Sequence, residues 1–160
     1  VLDFNGSTDL LQVGTSDWIG ASPRTVEFWM RPESLGGSSQ GEIINSGTFL
    51  IRVAGSGKVM VYSGTSVFSG ENAYNFNTWV HVAVTSTADG ITNIYTNGVL
   101  SGTPDQYSGK QTTGTTVIIG NRSAGDRAFD GQISGVRVYS RILGAGEIKQ
   151  NYELTKNHYQ

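Results

Sequence analysis

The residues of this chain best suited to chemistry are aromatic rings and amides in polar loops rather than paired acids. Trp18, Phe68, Tyr74, Phe76 and Tyr107 lie in or beside stretches rich in Gly, Ser, Thr and Asn, with Asn72 and Asp105 close to the two tyrosines. An exposed ring offers an apolar face to the C–H surface of a sugar, and side-chain amides and carboxylates bind its hydroxyls. Tyr74 and Tyr107, inside long polar loops, are the better candidates. Trp18 precedes Ile19 and reads equally as a core plug, and Phe76 precedes a strand and reads as packed. The candidate ligand set is therefore Trp18, Asn72, Tyr74, Asp105 and Tyr107.

Catalytic chemistry finds less support. Glycoside hydrolysis needs two carboxyl groups flanking one bond, yet Glu27, Glu42 and Glu71 each stand alone, and a loop and strand start separate Asp126 from Asp130. The chain has no cysteine, which removes thiolate zinc sites, disulfides and cysteine nucleophiles together. His81, between Val80 and Val82, faces away from the valine row and reads as a hydrogen-bonded structural residue. The expectation is a protein that is not an enzyme.

The elements that must position these residues read almost wholly as β. At 160 residues the chain fits one domain with a core of its own. Charged residues are 15% and glycines number 22, the composition of many strands joined by tight turns. Net charge is −2 with Lys and Arg scattered singly, so nucleic acid is excluded as a partner class. No apolar run approaches the ~20 residues of a membrane span, which argues against membrane insertion, and the given N-terminus carries no signal-peptide pattern.

Residues 1–4 and 10–13 flank the turn signal Asn5-Gly6-Ser7 and predict a hairpin. Strict alternation over 25–31 puts Val26, Phe28 and Met30 on one face and Glu27, Trp29 and Arg31 on the other. Residues 42–45, 48–53 and 58–62 predict a meander. Val80, Val82 and Val84 predict deep core, and Asn97-Gly98 predicts a type I′ hairpin because both turn residues need positive φ. Residues 117–120 read as a buried strand. The inward phase slips between Ile133 and Val136, predicting a bulge near Ser134-Gly135. Ile148 and Tyr152, four apart, predict one or two helical turns. A dozen or so strands imply two packed sheets: an all-β, two-sheet antiparallel sandwich over 1–154 with one short C-terminal helix and a tail over 155–160.

The chain resembles the laminin G-like jelly-roll domains of the concanavalin A-like lectin and glucanase superfamily. The motifs are Leu2-Asp3-Phe4-Asn5-Gly6-Ser7-Thr8-Asp9, Thr25-Val26-Glu27-Phe28-Trp29-Met30-Arg31-Pro32 and Asn77-Thr78-Trp79-Val80-His81-Val82-Ala83-Val84-Thr85. Ile94-Tyr95-Thr96-Asn97-Gly98-Val99 and Phe129-Asp130-Gly131 through Tyr139 follow in the same order. The resemblance implies two antiparallel sheets, and calcium held at positions matching Asn5, Asp9 and Asp130. Asn5 stands where the family usually has aspartate, and Ser134 where it usually has an acid. Glycan-cleaving members of the superfamily carry closely spaced acids on one strand, a spacing missing here.

Two functions follow as expectations. The first is a structural surface protein, such as a phage-type virion decoration or tail component, whose loops and tail contact neighbouring subunits and aid attachment. The second is a lectin-like adhesion module binding cell-surface glycan, with calcium as its cofactor. Either places the chain on a virion or an extracellular surface.

Overall fold

The computed structural model describes residues 1–15, 23–47, 49–106 and 116–159. Among them thirteen strands form two antiparallel sheets. The first runs β1 (Leu2–Asn5), β13 (Asp130–Tyr139), β3 (Arg24–Pro32), β8 (Val80–Ser86), β9 (Ile91–Thr96), β10 (Val99–Leu100), with β11 (Asp105–Gln106) also on β9. The second runs β2 (Leu11–Thr15), β12 (Thr116–Ile119), β4 (Glu42–Asn45), β5 (Leu50–Ala54), β6 (Lys58–Tyr62), β7 (Ser66–Phe68). We call them sheets A and B.

The period-two pattern builds the core between them. Val26, Phe28 and Met30 of β3 and Val80, Val82 and Val84 of β8 meet Ile51, Val53, Val59 and Val61 of sheet B in one buried cluster. Each such side chain contributes about 1.5–3 kcal/mol on burial. The meander β4-β5-β6 is as expected and continues into β7. Asn97 (φ 49°) and Gly98 (φ 79°) make the expected tight turn from β9 to β10. The β13–β3 register shifts between Ser134 and Arg137, with Gly135 at φ 59°, where the bulge was expected.

The opening strands do not form a hairpin. β1 pairs with β13 in sheet A and β2 with β12 in sheet B, so the turn at Asn5 carries the chain from one sheet to the other. Alternation shows that a strand is half-buried but carries no information about which strand it pairs with.

The C-terminal helix α1 (Ala145–Thr155) is a turn longer than its spacing suggested and covers the outer face of sheet A. Ile148 packs with Leu143 and Ala83 in a second small cluster against Tyr95 and Tyr139. The Glu147 carboxylate accepts the Gly144 N–H at 2.8 Å and is clasped by Arg141, which starts the helix without a side-chain N-cap. The tail, expected to contact neighbouring subunits, docks on its own domain. Trp29 donates its indole N–H to Thr155 Oγ1 at 3.0 Å, and Tyr159 stacks on Trp29 with ring centres 4.5 Å apart. Among the described residues no helix is long and apolar enough to cross a membrane.

Candidate functional site

A sandwich has two outer faces, and α1 with the tail covers one of them. The other, on sheet B, is where side chains remain available. Strand register sets two rows across it: Glu42, Arg52, Met60 and Phe68, then Asn45, Leu50, Tyr62 and Ser66. The residues between these rows, Ile51, Val61 and Val67, point into the core. Leu50 and Met60 floor a recess of about 270 Å³ walled by Gln40, Arg52, Tyr62, Ser66 and Arg127. Exposed aromatics among the described residues are Tyr62 (38%), Phe68 (44%) and Phe76 (46%), so two of the three stand on this one face.

The polar groups here are arranged around one buried acid. Glu42, fully buried, accepts from Arg127 at 3.1 Å and from the Asn45 amide. Arg52 donates to the Gln40 side-chain carbonyl, while its Nε is shut off from solvent with no hydrogen-bond partner. A buried unsatisfied donor costs about 1–3 kcal/mol. Burial holds the Arg52 guanidinium below its usual pKa, the Arg127 charge pushes the same way, and Glu42 opposes them. Composition gives no sign of this cluster, because its members are 87 residues apart at the extremes and meet only through strand register and the Glu42–Ala128 bridge.

The sequence-derived ligand set falls only partly within the described residues. Tyr74 is a correction: it is 4% exposed, its ring belongs to the core, and its hydroxyl donates to the Ala54 carbonyl at 2.9 Å. Burial pushes its pKa up to about 12. It cannot serve as an exposed platform, because a polar loop still needs an apolar plug over the end of the sandwich. Asn72 is exposed beside it at φ 56°, with its N–H on the Ser56 carbonyl. Asp105 lies on β11, its backbone paired with Thr92. Trp18 and Tyr107 lie outside the described residues.

The three positions matched to calcium do come together, since β1–β13 pairing sets Asn5 opposite Asp130. The Asn5 side-chain oxygen and one Asp9 oxygen are already engaged. Asn5 Oδ1 accepts the N–H groups of Ser7 and Thr8 at 2.9 Å each and of Asp9 at 3.3 Å, and Asp9 Oδ2 accepts the Asn5 N–H at 3.1 Å. The Asp130 side chain is packed against Gly6. Ser134 hydrogen-bonds the Tyr159 hydroxyl at 2.9 Å. Calcium takes roughly six to eight oxygen ligands, and among the described residues no group of three His, Cys, Asp or Glu could hold a metal. This set does not fit a resident calcium ion.

A cleft of about 470 Å³ at the end of α1 is lined by Asn77, Trp79, Asn97, Tyr152, Lys156 and Tyr159, among others. Its rings are spent on each other: Trp29, at its base, is stacked by both Tyr152 and Tyr159, and Trp79 leans on Tyr159. Gly37-Ser38-Ser39-Gln40-Gly41 has the letter spacing of a serine nucleophile elbow. An elbow joins a strand to a helix, whereas these residues form a single 3-10 turn between β3 and β4.

His81 is buried, as expected of a strand histidine, but neither ring nitrogen has a hydrogen-bond partner. Its Nε2 is 3.9 Å from Glu27 Oε2. Burial lowers its pKa to about 4, against the pull of Glu27 and with help from Arg137. The Glu27 carboxylate is fully buried under α1 and accepts from Arg137, Tyr139 and Asn151. Among the described residues the one close acid–histidine pair is thus buried inside the domain.

Fold and site together define a lectin-like antiparallel jelly-roll sandwich with an outer face that no helix covers among the described residues. Residues 5–149 match the laminin G-like family of the concanavalin A-like lectin/glucanases superfamily, and the chain belongs to that family. Domain 4 of AbnA, an extracellular arabinanase of Geobacillus stearothermophilus solved in complex with arabinotriose, superposes with TM-score 0.70 at 18% identity, over 91% of this chain and 73% of that one. A heptameric SAP-like pentraxin from Limulus polyphemus gives TM-score 0.67 at 16% identity, over 92% and 78%. The receptor binding domain of botulinum neurotoxin mosaic serotype C/D gives 0.72 at 16%, over 94% of this chain and 41% of that one. At these identities the likeness is one of fold. No curated protein matches the chain in sequence.

Proposed function

We propose that this chain is a non-catalytic carbohydrate-recognition module of an extracellular surface, taking a sugar on the open face of sheet B. The observation that carries the reading is the exposed Tyr62 ring standing over a recess whose walls are Gln40, Ser66, Arg52 and Arg127. A sugar's C–H face stacks on the ring while its hydroxyls meet the amide, hydroxyl and guanidinium groups. One fold hosts many functions, so the reading rests on this face and draws secondary support from the AbnA domain solved with arabinotriose. The virion-component expectation draws no support from these relatives, and the tail that suggested an assembly contact is occupied within the domain.

Isothermal titration against hits from a glycan array tests the proposal. Tyr62→Ala is expected to weaken binding about tenfold or more, the loss of one ring contact, with an unchanged melting temperature. A sugar bound equally well by wild type and Tyr62→Ala would place recognition elsewhere.

A further inference from the structure

We infer that the ligand presents an oxyanion, a carboxylate or a sulfate on the sugar, to Arg52 and Arg127. This rests on the reading above and names the chemical class of what that face binds. A guanidinium carries five N–H donors in a rigid planar fork that matches the two oxygens of a carboxylate or sulfate. Among the described residues each of these side chains makes one hydrogen bond, Arg52 to Gln40 and Arg127 to Glu42. Arg52 Nε is held away from water with nothing accepting from it.

The charge count points the same way. Among the described residues Glu42 is the carboxylate hydrogen-bonded to Arg127 and felt by Arg52, and it is fully buried and already taken by Arg127 and Asn45. The nearby Asp126, which also feels the Arg127 charge, is held in a fork by Arg122 at 2.5 and 2.6 Å, so that pair together adds no net charge. One positive charge is left over at the recess, on a chain whose net charge is −2. The net charge gives an acidic sugar no overall attraction, so the recess supplies it locally.

The test uses the intact chain and matched ligands: an oligogalacturonate against its carboxyl-reduced counterpart, and a sulfated oligosaccharide against its desulfated form. The expected result is that one charged member binds at least about tenfold tighter than its neutral partner, and which pair discriminates tells carboxylate from sulfate. Salt should weaken that preference. Arg52→Gln is expected to weaken the charged member much more than the neutral one, cutting the charged member's advantage to about twofold or less; an advantage that stays at about tenfold in the variant overturns the role of Arg52. Equal binding of charged and neutral members by wild type overturns the inference and leaves the carbohydrate reading standing. Binding of no sugar, charged or neutral, overturns both. If Arg52→Gln fails to fold, the wild-type comparison decides alone.

Discussion

Glu27 and His81 lie side by side beneath α1, both wholly buried, and they meet the cost of burial in opposite ways. Glu27 surrounds its charge with donors from Arg137, Tyr139 and Asn151; His81 has no hydrogen-bond partner and its pKa falls to about 4. Its folded pKa lies below the free value of 6.5, so the unfolded chain binds the extra proton. Stability from His81 is full above pH 6.5 and drains as the pH falls towards 4, by on the order of 3 kcal/mol in all. Urea unfolding at pH 7, 5.5 and 4.5 should show this limb in the wild type, and His81→Leu should flatten it. An unchanged limb in the variant would assign the loss to other groups. Glu147, held down to about 2 by Arg141 and the Gly144 N–H, acts in a separate window, losing its contribution only as the pH falls from 4.5 towards 2. The sequence put His81 opposite the valine row, but a partner from α1 or β3 cannot be read from a strand's own alternation, and so the lack of a hydrogen bond was not legible.

At the scale of elements, the β9–β10 turn and α1 hold each other in place. Gly98 combines φ 79° with a position where an added Cβ would come within 3.1 Å of Lys149 Cα and 3.2 Å of the Tyr152 ring. Gly98→Ala should therefore cost about 1–2 kcal/mol, from the strained φ and the displaced helix, read as a lower denaturation midpoint with helical signal lost first. No change would mean that the turn and helix pack independently. The turn itself was legible, because Asn-Gly is a local signal. That α1 would sit on it was not, since a spacing of four between Ile148 and Tyr152 shows a helical face without saying what it faces. The same holds for the opening turn, where Asn5 satisfies three N–H groups and redirects the chain between sheets rather than into a hairpin.

At the scale of the whole molecule, the turn that passes the chain between the sheets is held by hydrogen bonds of Asn5 and Asp9. Thermal unfolding with millimolar calcium and with a chelator should give the same midpoint, and sugar binding should be indifferent to the exchange. A rise of several degrees with calcium would show that the Asn5, Asp9 and Asp130 oxygens rearrange to accept it. The sequence by itself determined the strands, the valine core, the bulge at Ser134-Gly135, the Asn97-Gly98 turn and the membership of a jelly-roll family, because each is written in neighbouring residues with a period of two or a turn dipeptide. Only the tertiary structure decided that Tyr74 is a core plug and that the tail docks on Trp29. It alone brought Arg52, Arg127, Glu42 and Tyr62 together on one open face, because contacts between residues distant in sequence are set by which strands pair and in what register, and local pattern does not encode the partner.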